Sequence, residues 1–106
     1  MTATVDHVGI SVPDIVKAAD WYTKTFNIFQ ISEVIEINSA SDEIASDVFE
    51  NRFKKFKIVH MCTSDGVGVE LFEFIDPKNE SPQNNFQFWK TGIFHIAFTI
   101  KNIEEI

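Results

Sequence analysis

A chain of 106 residues, 44% of them hydrophobic, can bury one core and should form one compact unit rather than several. Its 9 basic residues against 16 acidic ones give a formal net charge of −7, which repels phosphate and anionic lipid, so neither nucleic acid nor a membrane is an expected partner. No apolar stretch is long enough to cross a bilayer, none has the layout of a secretory leader, and the single cysteine, Cys62, cannot form an internal disulfide, so the cytoplasm is the expected compartment.

The run His-Val-Gly-Ile-Ser-Val at 7–12 alternates, with Val8, Ile10 and Val12 on one strand face and His7, Gly9 and Ser11 on the other. Pro13 stops the ladder and Asp14 can cap a helix. Ile15, Ala19, Tyr22 and Phe26 then recur at helical spacing, which predicts an amphipathic helix from Ile15 to Phe26. A second strand is expected over Phe29–Ile37, with Phe29, Ile31, Ile35 and Ile37 on one face and Glu33 interrupting it. Residues 38–55 are polar and charged and read as a long loop with a short helix near Asp42 to Phe49. A third strand from about Lys57 to Thr63, a Ser64-Asp65-Gly66 turn and a fourth strand from Val67 to Ile75 complete a βαβββ unit. Residues 76–92 have the composition of a linker, and Ile93–Ile100 is the fifth predicted strand.

An internal repeat organises these pieces. Residues 6–15 (DHVGISVPDI) align without gaps on residues 94–103 (FHIAFTIKNI), pairing His7 with His95, Gly9 with Ala97, Ser11 with Thr99 and the helix cap Asp14 with Asn102. The predicted division is therefore a first module at 1–75, a linker at 76–92, and at 93–106 the first strand and helix start of a second, truncated module. A chain that stops one turn into a helix is expected to be part of a longer protein. The exposed strand edge and the apolar row Phe94, Ile96, Phe98 and Ile100 call for a cover, for which the candidates are residues beyond 106, a partner chain or an exchange of modules between two chains, with a homodimer the expected assembly.

In both copies the histidine shares its strand face with small residues, which leaves room for a ligand over that face. By the same alternation Glu70 and Phe72 of the fourth strand point to this side and Glu73 points away. Two imidazoles and a carboxylate on rigid strands can hold a divalent ion such as Zn, Ni, Co, Mn or Fe(II), so His7, Glu70 and His95 are the candidate metal ligands. His60 and Cys62 share a face of the third strand. His60 and Phe72 are candidate substrate contacts lining the cup.

The stretches DHVGISVPDIVKAADWYTKTF, GVGVELFEF and GIFHIAFTI resemble the opening strand and helix, the fourth strand and the fifth strand of the vicinal oxygen chelate superfamily, which includes glyoxalases, bleomycin-resistance proteins and extradiol dioxygenases. The resemblance covers nearly all of the chain apart from 38–55 and 76–92. It implies an α+β fold in which a βαβββ module is followed by the start of a second copy, with a mixed, cupped sheet and a helix on its outer face. His7, Glu70 and His95 fall on three of the family's ligand positions. The fourth ligand, a glutamate of the last strand, would lie beyond residue 106, so no catalytic residue is assigned. The activity implied first is a metal-dependent, lactoylglutathione lyase-like isomerisation or epimerisation of a small substrate chelated through neighbouring oxygens. The alternatives are an Fe(II)-dependent extradiol-type dioxygenase and a non-catalytic protein that sequesters its ligand.

Overall fold

The structure, a computed structural model, describes residues 1–40, 42–81, 88–93 and 95–101. Its first strand, β1 (His7–Ser11), leads into helix α1 (Ile15–Phe26), whose bounds are those that the apolar spacing predicts. The Asp14 side chain accepts the Lys17 N–H at 3.1 Å, and Glu73 reaches from the sheet to accept the Ile15 N–H at 2.8 Å. Two otherwise unpaired N–H groups of the first turn are satisfied in this way. Asn27 ends the helix in left-handed backbone (φ 54°) and donates its N–H to Thr23, a role that asparagine tolerates better than most residues.

The chain continues through β2 (Phe29–Gln30), β3 (Ile35–Asn38), helix α2 (Glu43–Val48), β4 (Lys55–Cys62) and β5 (Gly68–Asp76). The sheet order is β1-β5-β4-β2, with β3 also on β4. The β1–β5 pair is parallel and the others are antiparallel. A tight turn joins β4 to β5, with Gly66 at φ 92°, where a β-carbon would be strained. This is the expected α+β arrangement, although the sheet is open rather than cupped.

Alternation sorts the side chains onto two faces. Val59, Met61, Val69 and Leu71 are fully buried against Ile15 and Ala19 of α1, forming the main core on the outer, helix-covered face. On the other face Phe53, Phe56 and Ile58 are buried, with Phe49, Phe72 and Phe74 packed around them. The short helix near Asp42–Phe49 is present, capped by Asp42 on the Ala45 N–H at 2.8 Å. The 38–55 segment is nevertheless no mere polar loop. Phe49 places its ring 5.5 Å from Phe56 and 5.6 Å from Phe53 and Phe74, so the segment fastens α2 to the sheet.

Two further expectations are corrected. The second strand is split into β2 and β3, because the Ser32 hydroxyl accepts the His60 N–H at 3.0 Å where a backbone carbonyl would continue the ladder. Phe29, Ile31 and Ile35 are exposed. Over 93–100 the described residues form no strand. Phe98 packs 5.0 Å from Phe26 and 6.4 Å from Tyr22, which seats its side chain on α1. Phe94 and the repeated cap Asn102 lie outside the described residues.

The two packing roles differ in cost. Leu71→Ala removes a side chain with no exposed surface and should lower stability by about 2–5 kcal/mol. Phe98→Ala, which uncovers only the half-buried margin of the core, should cost clearly less. Urea unfolding midpoints of the two variants check the order.

Candidate functional site

The face opposite α1 carries His7, Gly9 and Ser11 of β1, Glu70 and Phe72 of β5 and His60 of β4, all bordering one hollow. Its construction depends on Gly68, which stands beside His7 in the parallel register. A β-carbon at 68 would lie 2.8 Å from the His7 β-carbon, so no larger residue fits there unless β1 moves. Gly9 has a similar use, since a β-carbon there would meet the Phe72 ring at 3.3 Å. The small-residue face of β1 thus admits an aromatic ring as well as leaving space.

Glu70 is the centre of the polar end. His7 Nε2 and His60 Nδ1 each lie 3.6 Å from the same carboxylate oxygen, Oε2. His60 is the direct cross-strand partner of Glu70, and Gly9 stands opposite Glu70 on the other side. On its far side His7 donates its Nδ1–H to Asp6 Oδ2 at 2.7 Å. A carboxylate on Nδ1 fixes the ring and aims Nε2 at Glu70, the orientation that metal-binding imidazoles use. The hydrogen bond to Asp6, and after it the charge of Glu70, hold the His7 pKa above the ordinary value of 6.5. The folded state therefore binds this proton more tightly than the unfolded chain. The associated stabilisation is present below the unfolded pKa and is lost as pH rises through the folded one.

The whole hollow has a volume of about 650 Å³, and its remainder lies between the sheet and α2, walled by Ile37, Ile44, Phe49, Phe56, Ile58 and Phe72. This is a concave, mostly apolar site with its polar groups gathered at one end, the usual layout of a small-molecule pocket.

The structure brings some of the sequence-predicted residues together and not others. His7 and Glu70 face each other, and the candidate contacts His60 and Phe72 join them. His95 lines a different concavity at the open edge of β1, with Gly9 and Ser11 but without His7 or Glu70. Two ligand atoms bound to a tetrahedral ion at about 2.1 Å stand roughly 3.4 Å apart, so the 3.6 Å between His7 and Glu70 suits a metal edge. Among the described residues, however, no three donors are arranged as a complete metal site. The fit is therefore that of a two-donor half-site.

Sequence reasoning missed the direct contact of His60 with Glu70, for which a signal existed. Residues equidistant from Asp65 pair across the β4–β5 hairpin, which sets His60 opposite Glu70. The part of Asp6 rests on one local hydrogen bond that alternation does not reveal.

Comparison with known proteins agrees with this architecture. A family model described as "Glyoxalase/Bleomycin resistance protein/Dioxygenase superfamily" matches residues 6–106. The chain is similar to a crystal structure of a glyoxalase family protein from Bacillus cereus, at 21% sequence identity and a TM-score of 0.78, covering 99% of this chain and 68% of that one. At that identity the likeness speaks for the fold. Comparison with curated proteins gives no match.

Because Asp6 contributes most to the His7 shift, Asp6→Asn should bring the His7 titration midpoint back toward 6.5, and by more than Glu70→Gln does. NMR titration of the ring protons measures both.

Proposed function

The chain belongs to the glyoxalase/bleomycin resistance protein/dioxygenase superfamily, and on that premise we propose that it is a metal-dependent enzyme that isomerises or epimerises a small molecule held through neighbouring oxygens beside Glu70. The observation that carries this reading is the line from Asp6 through His7 to Glu70, in which one carboxylate orients an imidazole toward a second carboxylate. A divalent ion there would supply Lewis-acid stabilisation of negative charge on the bound oxygens. His7 and Glu70 would be its donors, and by resemblance His95 would be the third. His60, against the other side of Glu70, can take and return a proton, as isomerisation or epimerisation requires. Phe72 and the apolar wall keep water from the bound molecule.

The second reading, a protein that sequesters its ligand without turnover, is favoured by the largely apolar wall and by the absence of a complete three-donor set among the described residues. No observation at the site favours an Fe(II)-dependent ring cleavage over these two. Residues 93–106 are read as the opening of a second module. Pairing into a homodimer would cover the exposed Ile93 and Ile96 beside the β1 edge. No helix among the described residues is long and apolar enough to cross a membrane, and a cytoplasmic location is part of this proposal.

Titration with Zn, Ni, Mn or Fe(II), followed by metal analysis and thermal melting, tests the reading. One bound ion per chain is expected, and His7→Ala and Glu70→Ala should lose it while melting near the parent. His95→Ala decides whether that ring joins the site. Absence of stoichiometric uptake by the parent would leave the sequestering reading.

A further inference from the structure

We propose that the hollow, in its metal-free form, favours a neutral or cationic molecule with an apolar body over an anionic one of the same shape. This deepens the function proposed above and rests on it only for the place where the ligand enters.

The argument is one of charge and shape. No lysine or arginine lines the hollow among the described residues, whereas Glu70 and Asp42 do. The basic run near the site is turned elsewhere. Lys57 stands between Glu36 and Glu73 on the helix-covered face, and Lys55 lies 3.5 Å from Glu36. Arg52 and Lys54 are exposed. The Glu70 side chain is only 19% exposed, and the groups beside it are the imidazoles of His7 and His60, which offset its charge only where they are protonated, so with no guanidinium or ammonium in the lining an incoming carboxylate would meet a largely desolvated negative charge. A cation would find that carboxylate at the polar end and the half-buried aromatic rings of Phe49 and Phe72 along the wall, which tolerate positive charge. Phe49 stands edge-to-face to Phe56 and Phe72, at 5.5 and 6.0 Å between centroids, and Phe56 is tilted by 54° to Phe72 at 5.5 Å, so the wall is a corrugated aromatic surface suited to an apolar body.

The test uses three probes of one shape: 2-naphthylmethylammonium, 2-naphthol and 2-naphthoate. Binding is measured by calorimetry on the full chain after chelator treatment, so that the outcome does not depend on whether the protein binds metal. The expected order is ammonium, then naphthol, then naphthoate, with about tenfold or more between the first and the last. Glu70→Gln should narrow that gap. Val48→Lys, which adds a cation at the exposed rim of α2 lining the hollow, should narrow it too without changing the melting temperature. The proposal is overturned if naphthoate binds as tightly as the ammonium, if none of the probes binds below about 1 mM, or if neither substitution alters the ratio. Selectivity without any metal uptake would uphold this inference while removing the metal-enzyme reading. Metal uptake without selectivity would do the opposite.

Discussion

The parallel contact of β1 with β5 is the constraint on which the site depends. Gly68 lets the two backbones approach until the His7 β-carbon occupies space that any other residue at 68 would need. With β1 set at that distance, His7 overlooks Glu70 from one side, and the β4–β5 hairpin brings His60 to the other. The carboxylate between two imidazoles is thus a product of strand register and not of loop conformation. Sites built on strands in this way hold their geometry better than sites built on loops.

The same sheet separates stability from function. Its outer face is closed by α1 over Leu71, Met61 and Val59, and that burial supplies the main apolar driving force. Glu73 links the sheet to this layer by capping α1 from β5. The inner face is treated differently along its length. At one end the phenylalanines at 49, 53, 56 and 74 pack into a second cluster beneath α2, and at the other the histidines and Glu70 meet partial solvent. A ligand entering between them would exchange water for aromatic rings over most of its surface and meet charge at one end only.

Much of this was legible in the sequence because alternation has a fixed consequence. The period-two pattern of 7–12 and 67–75 sent His7, Glu70 and Phe72 to one face and Glu73 to the other, as the structure has them. Pro13 and Asp14 located the start of α1. The failures have particular causes. The Ser32 hydroxyl interrupts a ladder that hydrophobic spacing alone would continue. Phe49 and Phe53 lie in a segment whose average polarity hid their role as anchors. The repeat of 6–15 in 94–103 pointed to a strand, whereas over 95–101 the described residues form none and Phe98 seats against Phe26 of α1. An equivalent pattern fixes which side chains are apolar; it does not by itself fix the surface on which they pack.

The central claim is that the half-site formed by His7 and Glu70 is where a divalent ion binds. With a net charge of −7 the chain also offers acidic surface, notably near Asp42, Glu43 and Asp47 of α2, to which a cation can attach without function. Paramagnetic relaxation by substoichiometric Mn(II) separates the two, because it broadens NMR signals only close to the bound ion. The account predicts that signals of His7, Gly9, Glu70 and His60 broaden first. Early broadening along α2, with those four unaffected, would contradict it.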